Sequence, residues 1–225
     1  MSETGMYEVE SIREPHFRTG FGLPKTKLAD LALSLFPVGT SLEIGSGDGE
    51  MVRYLRDRNV NARGIDNTDW TVNNTGDGLV RKGILTACAL DELPYPDRFF
   101  DLVCGFNVIE NYPDVHAELI AKELVRVAKR WIFMTICLRP STRRYKEPLT
   151  LRSRSWWEAI FRKAGAVPSP DVIRRLQKKQ PGATVEQVLR CGPAKNCIEE
   201  LAWFHKNPPF DLCGELEPWF FVFRV

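Results

Sequence analysis

The sequence predicts an α/β fold built on a mostly parallel β-sheet. Short apolar strands alternate with amphipathic helices through residues 25–138, which is the pattern of parallel sheets joined by crossover helices. Two apolar runs, Phe99–Phe106 and Trp131–Leu138, are nearly continuous, as strands buried on both faces are. A glycine-rich turn directly follows the first strand. Such a turn lets main-chain groups approach a ligand closely.

The composition indicates one globular domain with a nearly neutral charge. The chain has 225 residues, of which 44% are hydrophobic and 27% charged, and 31 basic and 29 acidic side chains leave a net charge of +2. This balance argues against a strongly basic nucleic-acid coat. The six cysteines form no C-x-x-C pair and the three histidines are scattered, so we expect no metal site.

The sequence also indicates a protein of the cytoplasm. No apolar run is long enough to span a membrane, and residues 1–15 lack the apolar region of a signal peptide. Cys88, Cys104 and Cys137 lie in or beside apolar runs, where free cysteine behaves as a small hydrophobic residue. We therefore expect a cytoplasmic protein without a membrane partner, and the sequence leaves its oligomeric state open.

The first elements follow from apolar periodicity and from turn residues. Residues 1–24 are polar and rich in Gly and Pro, which predicts an N-terminal arm ahead of a domain over residues 25–225. A helix follows Pro24 and ends before Pro37. A strand, a helix and a second strand come next, over Thr40–Ile44, Asp48–Arg58 and Asn61–Asp66.

The second half of the chain is less regular. A loop-like stretch over 67–78 has no clear helix, and the pattern then predicts strands and helices over Gly83–Ala87, Phe99–Phe106, His116–Lys129 and Trp131–Leu138. Ser155 is predicted to cap a short helix that Gly165 closes. Residues 168–217 are irregular, and Trp219–Val225 is a final apolar strand.

The most informative segment is the glycine turn S-L-E-I-G-S-G-D-G-E at residues 41–50. A dinucleotide-binding fingerprint has its third glycine where this chain has Glu50. Asp48 in the turn and Glu43 beneath it would repel the pyrophosphate of a dinucleotide. S-adenosylmethionine carries a sulfonium and an ammonium, so carboxylates suit it. The charge pattern therefore favours a cationic ligand.

A second candidate binding residue is Asp66, in the segment G-I-D at the end of the second strand. It lies 21 positions beyond Gly45. A carboxylate there can accept hydrogen bonds from both ribose hydroxyls of a nucleoside. The alternative is an ordinary solvated aspartate before Asn67, as many turns have. The glycine turn upstream favours the ribose interpretation.

The motifs together resemble those of the class I S-adenosylmethionine-dependent methyltransferases, of the type called methyltransferase domain 11. The resemblance spans roughly residues 38–138 in the family's order. It is carried by E-I-G-S-G-D-G, G-I-D, L-D-E-L-P-Y-P-D-R-F-F-D-L-V, F-N-V-I-E-N-Y-P-D and E-L-V-R-V-A-K-R-W. It implies a Rossmann-like, doubly wound, mostly parallel seven-stranded sheet with a C-terminal antiparallel strand. It also implies an inserted variable region, residues 139–217, on the acceptor side.

The resemblance further implies the binding residues for the cofactor S-adenosylmethionine. The methionine part would lie against Glu43, Gly45, Ser46, Gly47 and Gly49. Asp66 would hold the ribose, and the adenine would lie against Asn67, Ala89 and Leu90. Phe106 and Asn107 would line the methyl-transfer cleft at the end of the fourth strand.

The chain departs from the family pattern in two places. Ala89 stands where the family usually has an acidic residue that reaches the adenine, so a main-chain contact or Asp91 would have to replace it. Asn111 stands where the family often has histidine, which weakens the case for an inherited general base. Trp70 lies near the expected adenine position, where stacking on the base and ordinary packing are equally good interpretations.

The catalytic candidates are Asn107, His16 and His116. A nitrogen acceptor needs positioning more than a base, whereas a hydroxyl acceptor usually needs one. His16 lies in the N-terminal arm and His116 begins a helix, and for both a surface or structural role is the competing interpretation. His205 lies in the variable region and has the same competing interpretation.

Three functions remain in competition. The first is methyl transfer to an oxygen or nitrogen atom of a small-molecule acceptor. The second is methylation of RNA or another nucleic acid, using the basic segments 139–154 and 174–179. The third is a non-catalytic subunit with the same fold that binds a partner. The tetrapeptide N-P-P-F at 207–210 lies far from the fourth strand, so we interpret it as a turn rather than an amine-binding motif.

Overall fold

The computed structural model describes residues 25–67, 78–136, 149–172 and 220–225. Within these ranges the helices are α1 (Lys25–Leu35), α2 (Glu50–Arg56), α3 (Ala117–Val127) and α4 (Arg154–Lys163). The strands are β1 (Thr40–Ile44), β2 (Asn61–Asp66), β3 (Leu85–Ala87), β4 (Phe100–Phe106), β5 (Ala128–Thr135), β6 (Val167–Pro168) and β7 (Phe220–Arg224). Two 3₁₀ turns, Ile109–Asn111 and Asp114–His116, connect β4 to α3.

The seven strands form one sheet in the order β3-β2-β1-β4-β5-β7-β6. Strands β1 to β5 are mutually parallel, and β7 runs antiparallel to both β5 and β6. The sequence order reverses between β1 and β4, so the sheet extends in both directions from its centre. The predicted α/β, mostly parallel, seven-stranded and Rossmann-like fold is confirmed.

Helices cover both faces of the sheet. On one face α1 and α2 pack against strand residues such as Leu102, Cys104 and Phe133. On the other face α3 and α4 pack against residues such as Ile44, Val103 and Ile132. Successive strand residues alternate between these two cores because side chains of a strand point to opposite faces in turn. Burial on both faces explains why the central strands read as continuous apolar runs.

The parallel strands bring their carboxyl ends to one edge of the sheet. Ile44 of β1 pairs with both Ile65 of β2 and Gly105 of β4, and Asp66 pairs with Ala87. The glycine turn after β1 and the residues after β2, β3, β4 and β5 therefore lie along this edge. Ligands of open α/β sheets bind at the carboxyl ends of the strands where the strand order reverses.

Most predicted elements are found with small differences at their ends. The helix after the glycine turn begins at Glu50 rather than at Asp48, because the Asp48 carboxylate accepts a hydrogen bond from the Glu50 amide and Gly49 has a φ of 82°. The fifth strand begins at Ala128 and not at Trp131, directly where α3 ends. The two-residue strand β6 was not predicted.

The predicted cap of α4 was wrong by two residues. The Ser153 hydroxyl, not that of Ser155, accepts the hydrogen bond from the Trp156 amide, and the helix begins at Arg154. Both serines have the chemistry of a cap, but only Ser153 has extended main-chain angles, as a capping residue requires. At the other end Gly165 has a φ of 103°, as predicted for the residue that closes the helix.

Several predicted features lie outside the described residues. They are the N-terminal arm with His16, Trp70, residues 139–148 of the first basic segment, the second basic segment 174–179, His205 and N-P-P-F at 207–210. In the part of the chain that the structure describes, no helix has the length and apolar character needed to cross a membrane.

Candidate active site

Several main-chain amides of the glycine turn after β1 donate hydrogen bonds within the protein. The Ser46 amide donates to the Ile65 carbonyl of β2, and the Gly49 amide donates to the Ser46 carbonyl, both at 3.0 Å. The Glu50 amide donates to the Asp48 carboxylate at 3.1 Å. These amides are therefore not directed at a ligand, in contrast to the amides of a phosphate-binding turn.

Asp66 joins the turn to the end of β2. Its carboxylate oxygen Oδ2 accepts a hydrogen bond from the Gly47 amide at 2.9 Å. The side chain is only partly buried, and it lies at the sheet edge beside Asn67. A carboxylate has room for several more hydrogen bonds, so Asp66 can hold the turn and still accept hydrogen bonds from a ligand.

The three glycines of the turn face different surroundings. A Cβ atom at Gly45 would lie 2.5 Å from the Val108 side chain, and one at Gly49 would lie 2.8 Å from Leu85. Side chains at these two positions would collide with the packed interior. At Gly47 the nearest atom to a Cβ would be Lys25 Nζ, at 4.0 Å. Within the described ranges, the turn therefore leaves open space at Gly47.

A buried ion pair lies beneath the turn. Lys25 Nζ, from the first turn of α1, donates to Glu43 Oε1 at 2.7 Å, and the two residues are 5% and 1% exposed. The same ammonium donates to the Ser46 carbonyl at 3.0 Å and to the Gly45 carbonyl at 3.1 Å. Because Lys25 neutralises Glu43, the charge of Glu43 attracts a cationic ligand less than the sequence alone suggests.

Burial changes the protonation of Glu43. It raises the pKa of this carboxyl from 4.5 to about 7, against the opposing effect of the Lys25 ammonium. Asp66 and Asp48 add to this rise in pKa because their negative charges lie nearby. Among the carboxylates of Glu43, Asp48 and Asp66, we therefore assign most of the negative charge available to a ligand to Asp66. The Asp48 main chain accepts a hydrogen bond from Arg53, whose charge partly offsets that of Asp48.

Tyr112 is a site residue that the sequence did not single out. Burial raises the pKa of its hydroxyl, and the nearby charges of Asp66 and Asp91 raise it further, so the phenol stays protonated at neutral pH. The nearby Asn67 side chain opposes this rise in pKa. Tyr112 therefore lies among the residues at the ends of β2 and β3. Its position in the segment F-N-V-I-E-N-Y-P-D, just after β4, is the signal that could have found it.

The residues after β3 border the same cluster. Leu90 is buried in the core at 1% exposure, whereas Ala89 is exposed. Asp91, which was considered as a replacement for the missing acid at Ala89, has its carboxylate 3.5 Å from His116 Nδ1. This contact orients the imidazole ring. His116 thus lies with Asp91 near Tyr112.

Asn107 has an unusual conformation at the end of β4. Its φ is 56°, which non-glycine residues adopt rarely and asparagine more often than most. Its amide donates to the Thr135 carbonyl at 3.0 Å, and its side-chain oxygen accepts from the Thr135 hydroxyl at 2.8 Å. The preceding residue, Phe106, is 8% exposed and its ring packs edge-on against Phe133. Of Phe106 and Asn107, therefore, only Asn107 brings a polar side chain to the sheet edge.

The site has features that fit a nucleoside with a positive charge. Glu43 Oε2 and the Ser46 hydroxyl are buried and have no hydrogen-bond partner in the described part of the chain. The space at Gly47 is open, and the Asp66 carboxylate borders the turn. Among the residues that the structure describes, no cluster of three or more His, Cys, Asp or Glu side chains could hold a metal ion.

The central part of the chain is similar to a known protein family. A family model described as "Methyltransferase domain" matches residues 42–131. The match begins in β1 and ends in β5, so it contains the glycine turn, Asp66, Tyr112 and Asn107. A comparison with curated proteins found no match.

Solved structures share the fold at low sequence identity. The cyclase SpnF is 18% identical over 88% of this chain and 80% of its own, with a TM-score of 0.50. Phosphoethanolamine N-methyltransferase 2 of Haemonchus contortus, in complex with S-adenosyl-L-methionine, is 15% identical over 88% of this chain and 52% of its own, with a TM-score of 0.53. The 1,6-didemethyltoxoflavin-N1-methyltransferase of Burkholderia thailandensis, with bound 1,6-didemethyltoxoflavin and S-adenosylhomocysteine, is 13% identical over 67% and 69%, with a TM-score of 0.51.

The raised pKa of Glu43 predicts a pH dependence of stability. Because the folded pKa of about 7 exceeds the ordinary value of 4.5, the unfolded chain loses this proton first as the pH rises. The contribution of Glu43 to the free energy of unfolding is complete below pH 4.5 and is lost as the pH rises through about 7. Between pH 4.5 and about 7 the free energy of urea unfolding should therefore fall with pH by more in the unaltered protein than in Glu43→Gln, which lacks this titrating carboxyl. An identical slope in both proteins would contradict the assignment.

Proposed function

We propose that this chain, whose residues 42–131 match the model of a methyltransferase domain, transfers a methyl group from S-adenosylmethionine to an oxygen or nitrogen atom of a small molecule. The cofactor, S-adenosylmethionine, supplies an activated methyl group on a sulfonium, which is a good leaving group. In this proposal residues 25–225 form the methyltransferase domain, residues 1–24 an N-terminal arm, and residues 139–217 the acceptor-side region.

One observation carries the choice of cofactor. The amides of Ser46, Gly47, Gly49 and Glu50 all donate within the protein, and the Gly47 amide donates to a carboxylate. A pyrophosphate would have to displace that carboxylate and would be repelled by it. A cationic nucleoside is attracted by the same group. The turn therefore favours S-adenosylmethionine over a dinucleotide.

The nucleoside would lie along the ends of β2 and β3. In this arrangement Asp66 accepts hydrogen bonds from the ribose hydroxyls, and Asn67 and the protonated Tyr112 hydroxyl offer hydrogen bonds beside it. The adenine would contact the main chain of Ala89 and Leu90, since the side chain of Ala89 has no polar group. The methionine part would lie at the open space of Gly47.

Methyl transfer would take place at the end of β4. Asn107, held by Thr135, is the proposed residue that orients the acceptor, and orientation alone can supply much of the rate of an in-line displacement. A neutral amine needs no base. A hydroxyl acceptor would require a proton acceptor, and His116, oriented by Asp91, is the described candidate for that role.

The described basic residues favour a small-molecule acceptor over a nucleic acid. Arg152 donates to Asp114 and Arg154 donates to Glu158, so both arginines at the end of the first basic segment form ion pairs within the protein. Paired arginines contribute little to binding phosphate groups. The Burkholderia enzyme named above, which binds a small heterocycle, has the same fold and supports this acceptor class by analogy alone.

The Asp66 carboxylate provides the main test of this function. Asp66→Ala should weaken S-adenosylmethionine binding about tenfold or more in calorimetry, because hydrogen bonds to a charged group are worth about 1.5–3 kcal/mol each. Asp57→Ala, which removes an exposed carboxylate after α2, is the control and should leave the affinity unchanged. Equal affinities for the two variants would refute the ribose assignment.

Gly47 provides a second test because its surroundings are open. Gly47→Val should abolish cofactor binding by filling the space at the turn. Gly83→Val is a matched control, since Gly83 has a similar φ of 65° and a Cβ there would meet no described atom within 4 Å. Both variants should lose about 1–2 kcal/mol of stability from the strained backbone. Cofactor binding by Gly47→Val as strong as that of the control would exclude the proposed placement.

A further inference from the structure

The position of Lys25 is unfavourable for a lysine. It is the first residue of α1, and with 5% of its surface exposed it belongs to the buried stripe that Leu28, Ala32 and Leu35 continue. Burial penalises an ammonium group, and the positive end of the helix dipole repels it. Specific contacts of the ammonium must offset both costs.

The ammonium of Lys25 has three acceptors and uses all of its protons. Glu43 Oε1 lies at 2.7 Å, the Ser46 carbonyl at 3.0 Å and the Gly45 carbonyl at 3.1 Å. One side chain thus connects α1 to the end of β1 and to two successive residues of the glycine turn. Only the bond to Glu43 is needed to neutralise the buried carboxylate.

The two carbonyl contacts point to a role beyond folding. A buried ion pair is often no more stabilising than an apolar pair of similar volume, so packing alone does not require one here. The contacts to Gly45 and Ser46 fix the orientation of the first half of the turn. Lys25 Nζ is also the atom nearest to the open space at Gly47. The ammonium therefore forms the floor of the proposed methionine pocket.

We propose that Lys25 is a positioning residue for S-adenosylmethionine, which holds the glycine turn in its binding conformation through the carbonyls of Gly45 and Ser46. This inference rests on the proposed function, because it assigns Lys25 a part in binding at the same site. Lys25 acts through the turn, and its own protons are already committed to protein acceptors. No direct bond to the ligand is assigned to it.

The test separates folding from positioning with a single and a double variant. Lys25→Met leaves Glu43 buried without a partner, whereas Lys25→Met/Glu43→Met replaces the ion pair by an apolar pair. Lys27→Met is the matched control, because Lys27 lies in the same helical turn and is exposed. For each protein the urea midpoint and the dissociation constant for S-adenosylmethionine are measured, the latter by calorimetry.

We expect Lys25→Met to lower the urea midpoint and the double variant to regain it. The double variant should still bind S-adenosylmethionine about tenfold or more weakly than Glu43→Gln, which keeps Lys25, because the turn then lacks the two charged hydrogen bonds to its carbonyls. Recovery of both stability and affinity would overturn the proposal, and so would failure of the double variant to fold, because either result makes Lys25 a folding element. Absence of binding by the unaltered protein would instead refute the proposed function.

Discussion

The structure depends on how the chain holds a tight glycine turn between β1 and α2. The turn is fixed from beneath by the Lys25 ammonium and from the side by the Asp66 carboxylate. These contacts join α1 and β2 to the turn, and the Lys25–Glu43 ion pair joins α1 to β1. The amides of Ser46, Gly47, Gly49 and Glu50 donate within the protein, and the described residues leave an open space at Gly47.

This arrangement explains how one sheet edge combines the parts of a nucleoside site. The parallel register aligns the turn with Asp66, and the neighbouring strands supply Tyr112 and Asn107. Lys25 neutralises Glu43, so the electrostatic preference of the edge depends on Asp66 more than on Glu43. The fold alone does not determine the reaction, since the cyclase SpnF shares it. Methyl transfer is supported by the match of residues 42–131 to the methyltransferase-domain model and by the residues at this edge.

The sequence predicted the sheet well because burial on both faces leaves a strong signal in β1, β4 and β5. The spacing of the glycine turn and Asp66 also pointed to both of them, and the structure brings them together through the hydrogen bond from the Gly47 amide. It did not locate the short strand β6, because a two-residue strand has no periodicity. It misplaced the cap of α4 because Ser153 and Ser155 differ in main-chain angles and not in chemistry.

The sequence also missed Lys25 and Tyr112, whose roles depend on contacts between distant segments. Lys25 lies 18 residues before Glu43, and nothing in a single sequence pairs the two. A partial signal existed, because Lys25 shares the spacing of the apolar stripe of α1. The role of Tyr112 becomes visible only when the ends of β2, β3 and β4 are placed side by side.

The central claim is that this turn selects a cationic nucleoside and rejects a pyrophosphate. Calorimetric titration of the protein with S-adenosylmethionine and with NAD⁺, in the same buffer and salt, tests it most directly. The account predicts saturable one-to-one binding of S-adenosylmethionine and no measurable binding of NAD⁺. Saturable binding of NAD⁺ together with no heat from S-adenosylmethionine would contradict it.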